Sequence, residues 1–84
     1  MSLKQVLGKN IRYFRLNHNY TQEKLAEFLD ISVTYMSDIE LGKSNVSLDL
    51  IEKIANFFEL EYKDLFEIRQ FHSLVKANTK KDFV

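Results

Sequence analysis

Cysteine and proline are missing from this 84-residue chain, and glycine occurs only at Gly8 and Gly42. Without cysteine there is no disulfide, no thiolate zinc site and no thiol nucleophile to consider. No apolar run approaches the roughly 20 residues that a membrane span needs, and the N-terminus lacks a signal-peptide pattern. A soluble, cytoplasmic protein is therefore expected. Net charge is also missing, since 12 basic residues balance 12 acidic ones. The distribution is nevertheless uneven. Residues 1–22 carry +4 with no acid, residues 23–67 carry −7, and residues 68–84 carry +3. A polarised molecule can present a basic face while staying neutral overall.

The shortage of glycine and proline leaves helices as the expected elements, and the apolar spacing agrees. Leu7, Ile11 and Phe14 recur at +4 and +3. Leu25, Ala26 and Leu29 share a face, as do Met36 with Ile39 and Leu48, Ile51, Ile54, Ala55 and Phe58. Ser2, Thr21, Ser32 and Ser47 each precede one of these sets, where a hydroxyl can accept from exposed first-turn amides. An apolar residue stands just before each hydroxyl and another five positions further on: Met1 and Val6, Tyr20 and Leu25, Ile31 and Met36, Val46 and Ile51. That is hydrophobic-staple spacing, and Ser2 with Gln5 completes a capping box. Leu60 and Leu65 repeat the staple around Glu61, a poorer cap.

The expected elements are helices over 3–18, 22–29, 33–41 and 48–59, with a fifth from 62 to about 68 or beyond. Only Asp30, Ile31 and Ser32 separate the second and third, so two short helices must cross steeply, as in a helix-turn-helix. The expected class is all-α, with a domain over 1–68 and a C-terminal extension over 69–84. Gly42 stands where a left-handed cap should close the third helix. Gly8, inside the first, costs about 1 kcal/mol against alanine and implies close packing.

With these elements in place, the run from Gly8 to Leu60 resembles the helix-turn-helix family of Cro/CI-type (XRE) regulators, which includes the lambda-type phage repressors. The segments carrying the resemblance are Ile11–Arg15, Thr21–Ala26, Met36–Gly42 and Ser47–Ala55. Thr34–Glu40 followed by Asn45-Val46-Ser47 is similar to the controller proteins of restriction–modification systems. The resemblance implies a five-helix, lambda-repressor-like fold and a dimeric transcriptional regulator on a two-fold symmetric operator, with neither cofactor nor metal.

In a helix-turn-helix the second helix enters the major groove, and its first residues face base edges. Those are Val33, Thr34 and Tyr35, then Ser37 and Asp38 one turn on. The resemblance places base contacts at Val33, Thr34 and Asp38. Thr34 can hydrogen-bond a base or touch a thymine methyl, Val33 can only make the apolar contact, and Asp38 can accept from a cytosine amino group. Asp38 reads equally well as a solvated helix charge, and Tyr35 either stacks near the sugar-phosphate wall or packs between helices.

The resemblance also assigns a phosphate contact to Gln22, where the unpaired amides and dipole of a helix N-terminus favour an anion. Lys43, Ser44 and Asn45 form a polar loop that would hold the DNA backbone, with Asn45 alternatively serving the turn. Lys9 and Arg12 are further phosphate candidates. Arg15 is different: the family pattern pairs it with Glu40 in a buried, bidentate ion pair. The resemblance makes Glu23 and Glu27 a candidate contact for RNA polymerase, although two carboxylates on a helix also read as solvated charges. The expected dimer interface is the fifth helix and its surroundings: Phe57, Tyr62, Phe66, Ile68 and Phe71, with Phe66 alternatively in the core.

Enzyme classes find no support. His18 and His72 match no metal-ligand spacing, no glycine-rich phosphate loop is present, and no Ser–His–Asp arrangement emerges. Asp49 and Glu52 read as charges at a helix N-terminus, and His18 as a solvated helix end. The competing function is a protein-interaction module, an antitoxin or antirepressor on the same fold.

Overall fold

A computed structural model describes residues 1–69. Four α-helices run over α1 (Leu3–Asn17), α2 (Gln22–Leu29), α3 (Val33–Glu40) and α4 (Leu48–Phe58), followed by a 3-10 turn at Tyr62–Leu65. All four expected hydroxyl caps form. Ser2, Thr21, Ser32 and Ser47 accept from the amides of Gln5, Lys24, Tyr35 and Leu50 at 3.0–3.2 Å. Gln5 Oε1 in turn accepts from the Ser2 amide at 2.8 Å, closing the capping box.

The four helices also end alike. Tyr20, Ile31, Lys43 and Leu60 each donate a backbone N–H five residues back, to the carbonyls of Arg15, Ala26, Asp38 and Ala55 respectively. This closure requires one left-handed residue per helix. Gly42 supplies it after α3 with φ +75°, as its position predicts, whereas Asn19, Asp30 and Glu59 adopt φ near +60° without glycine's freedom.

The expected fifth helix is corrected by the structure: among the described residues it is one 3-10 turn, Tyr62–Leu65. The reason is a buried asparagine. Asn10, fully enclosed on α1, directs its Nδ2 group at the carbonyls of Val6, Leu65 and Glu67 at 2.8–3.1 Å. The Leu65 carbonyl would serve Arg69 N–H in a continuing α-helix; a side chain takes it instead. Arg69 Nε donates to Asn10 Oδ1 at 2.7 Å, and the guanidinium lies 4.8 and 4.9 Å from the Tyr13 and Phe14 ring centres. Arg69, assigned to the extension from sequence, is thus held against α1.

Ile11, Leu25, Leu29, Met36, Ile39, Ile54 and Leu65 are essentially inaccessible and form the core where α1 to α4 and the 3-10 turn converge. Beside it lies an aromatic cluster in which Phe57 meets Tyr20, Phe28 and Phe58 at ring separations of 5.0–5.9 Å. His18 is exposed but not merely solvated: its ring lies 4.8 Å from that of Phe58 and stacks on Tyr20. Lys53 Nζ donates to the last α2 residue, Leu29, at its carbonyl at 2.7 Å, satisfying a helix C-terminus from α4.

Gly8 is where α1 crosses the end of α3. A Cβ built there would stand 2.3 Å from the Ile39 carbonyl oxygen and 2.7 Å from that of Glu40. Two backbones therefore touch with no side chain between them, which fixes how α3 is presented.

Candidate nucleic-acid interface

The candidate site is built from the first half and middle of α1, the start of α2 and the outer side of α3. The Asp30-Ile31-Ser32 connection turns sharply because Asp30 is left-handed and Ser32 immediately caps α3. Val33 is 41% exposed and Thr34 is exposed, so the first turn of α3 offers an aliphatic and a hydroxyl group outward. Ser37 and Asp38, one turn on, are half-buried. Tyr35 is half-buried: its ring packs on the core and its hydroxyl donates to the Asn45 carbonyl at 3.0 Å. It thereby braces the loop carrying Lys43, Ser44 and Asn45 against α3.

Arg15 and Glu40 form the expected buried pair. Arg15 Nε donates to Glu40 Oε2 at 2.7 Å and Nη2 to Oε1 at 3.0 Å, with both residues under a tenth exposed. The remaining fork of Arg15 donates to the Tyr20 carbonyl at 2.9 Å. One guanidinium thus ties α1 to the end of α3 and to the segment entering α2. The geometry matches the bidentate fit of guanidinium to carboxylate, in which lysine could not substitute.

Around this pair lies a shallow concavity lined by Gln5, Lys9, Arg12, Gln22, Ser37, Glu40 and Leu41. Four of the DNA-contact candidates, Lys9, Arg12, Gln22 and Ser37, therefore converge, and Lys43, Ser44 and Asn45 lie outside it in the following loop. Nothing in the sequence signals how Gln22 is held. Its Nε2 donates to Glu40 Oε1 at 2.9 Å. Arg12 leans on the same oxygen at 3.9 Å while remaining mostly exposed. Glu40 was legible as the partner of Arg15, but nothing in the spacing marked it as a shared acceptor.

On the other faces, Glu23 and Glu27 are both exposed, and Glu27 lies 3.5 Å from Lys24 Nζ. Of the residues expected at a dimer interface, Phe57 is engaged in the aromatic cluster and Phe66 packs on the core. Tyr62 and Ile68 are 54% and 79% exposed, and Phe71 lies outside the described residues. Leu48, 82% exposed, joins Ile51, Tyr62 and Phe66 along a shallow apolar groove flanked by Asp49 and Glu52. Among the described residues, no His, Cys, Asp and Glu group has metal-binding geometry, and no helix is long and apolar enough to cross a membrane.

A helix-turn-helix family model matches residues 11–65, a span running from the middle of α1 through the 3-10 turn. The chain belongs to this XRE-type helix-turn-helix family. The helix-turn-helix chain is 45% identical over 67 residues to control protein C.BamHI of Bacillus amyloliquefaciens, covering 79% of this chain and 83% of that protein. Its fold is similar to the restriction–modification controller protein C.AhdI of Aeromonas hydrophila, with a TM-score of 0.69, 32% identity, and coverage of 75% and 96%. The hypothetical transcription factor NHTF from Neisseria superposes with a TM-score of 0.75 at 32% identity, covering 88% and 85%. The family is one of DNA-binding transcriptional regulators rather than of enzymes, which agrees with the site: the helix-turn-helix chain offers an exposed helix start beside a polar concavity with two cations on its rim.

Proposed function

We propose that this protein is a sequence-specific regulator of the controller type, binding a two-fold symmetric operator as a dimer. The observation that carries the reading is the juxtaposition of the exposed first turn of α3 with the concavity holding Lys9, Arg12 and Gln22. A groove-reading helix needs such a flank, because phosphate contacts set the register in which base contacts operate. Thr34 and Val33 read base edges, with Ser37 and Asp38 in support; Tyr35 acts as a brace. Gln22, the rim cations and the loop at Lys43–Asn45 hold the backbone.

One such unit reads too few base pairs to define a site, and two-fold dimers on half-sites about one helical turn apart remove that difficulty. The apolar groove of Leu48, Ile51, Tyr62 and Phe66, together with the exposed Ile68, is the surface we assign to the dimer. Glu23 and Glu27 stand on the outer side of α2, available to a protein such as RNA polymerase.

The test is a fluorescence titration against the duplex upstream of the protein's own gene and against a scrambled duplex, across a salt series. Regulatory binding gives a preference of about 10³-fold or more for the specific duplex and an affinity that falls steeply with salt. Equal binding to both duplexes at every salt concentration favours the protein-interaction reading instead.

A further inference from the structure

We infer that Glu40 is a positioning residue for the DNA-backbone contact at Gln22, in addition to anchoring Arg15; this rests on the reading of Gln22 above. The Glu40 side chain is 2% exposed, yet it forms the floor of the concavity that opens beside α2. Its Oε2 is taken by Arg15 Nε, and its Oε1 accepts from both Arg15 Nη2 and Gln22 Nε2. Because Glu40 can only accept, the end of Gln22 facing it must be the NH₂ group. That group carries two hydrogens directed about 120° apart. One is fixed on Glu40, so the other is aimed in a set direction, and among the described residues it has no acceptor.

Gln22 is the first residue of α2, and Thr21 caps only the Lys24 amide. The held side chain therefore belongs to the residue that opens α2, a helix start whose first backbone N–H groups favour an anion. A free glutamine loses rotamer freedom on gripping a phosphate; one already held in place loses little. The Arg15 charge completes the device. A bare carboxylate beneath the grip would repel phosphate, and the bidentate guanidinium neutralises it while leaving Oε1 able to orient Gln22.

The test uses the full chain with its operator duplex, a scrambled duplex as control, and the variants Gln22→Ala, Glu40→Gln and their combination. Gln22→Ala should weaken binding about five-fold, the worth of one net hydrogen bond, without altering the salt slope. Glu40→Gln should cost a similar factor in the parent chain and less than about two-fold on top of Gln22→Ala. A role confined to scaffolding would give the same loss in both backgrounds. Side-chain amide relaxation by NMR of the unbound parent chain keeps the question open to decision even where Glu40→Gln fails to fold. The Gln22 NH₂ group should be as ordered as the backbone of α2. Additive losses, unchanged affinity for Gln22→Ala, or a freely rotating Gln22 amide would each overturn the proposal while leaving operator binding intact. Failure of the parent chain to prefer the operator would remove the DNA reading itself and this proposal with it.

Discussion

Gly8→Ala opposes two forces whose sizes differ. In an isolated helix the change is favourable by about 1 kcal/mol, because alanine is the stronger helix former. Here the added methyl would lie 2.3 Å from the Ile39 carbonyl oxygen and 2.7 Å from that of Glu40. Neither neighbour is a flexible side chain that can swing aside; both are backbone at the end of α3. Relief requires α1 and α3 to separate by roughly an ångström, which loosens the contacts of Leu7 and Ile11 and stretches the Arg15–Glu40 bridge. Overpacking of this kind costs about 1–3 kcal/mol, and rigid backbone on both sides puts Gly8 at or above the top of that range. After subtracting the propensity gain, a net loss of about 2 kcal/mol remains, which for a domain this small lowers the melting temperature by roughly 10 °C. Thermal unfolding followed by circular dichroism at 222 nm measures it. A melting temperature equal to or above that of the parent chain would refute the close approach of α1 to α3.

Arg15→Ala and Glu40→Ala should each destabilise by on the order of 3–5 kcal/mol, since each strands a buried charge, and two neutral variants in urea melts would contradict the burial of the pair. Glu59→Gly should stabilise: a left-handed non-glycine residue costs about 1–2 kcal/mol, and the extra freedom of unfolded glycine returns only about 0.5–1 kcal/mol of that. A lower melting temperature for this variant would contradict the left-handed closure of α4. Asn10→Leu should cost about 1–3 kcal/mol by leaving the Leu65 carbonyl buried without its donor, and amide exchange at residues 62–66 should quicken with it. Unchanged exchange there would contradict the role of Asn10 in holding the 3-10 turn.

The helices were legible in the sequence because each start is a local event. A hydroxyl and its staple pair lie within six residues of one another, and Ser2, Thr21, Ser32 and Ser47 all cap as their positions require. Helix ends were less legible: Gly42 announces a left-handed residue, but Asn19, Asp30 and Glu59 adopt one under the demands of packing. The fifth helix reads longer in the sequence than it is in the fold, because what stops it is Asn10, 55 residues away from the Leu65 carbonyl it binds. No local pattern carries that information. The same division runs through the interface. Arg15 with Glu40 was accessible through family pattern, whereas the bond from Gln22 to Glu40 and the brace from Tyr35 to Asn45 exist only once α2, α3 and the loop are folded together. The ring contacts of His18, which reads as a solvated helix end, likewise form only once α1, α2 and α4 are folded together.

Operator binding requires that the exposed first turn of α3 read DNA as one half of a two-fold unit. Selection of duplexes from a random pool by the full chain, followed by sequencing, addresses this in a single measurement. Two inverted half-sites are expected, their centres about one helical turn, or 10–10.5 base pairs, apart, or a multiple of that spacing. Recovery of a pool with no enriched sequence, or of a single unpaired half-site, would contradict reading by a two-fold dimer.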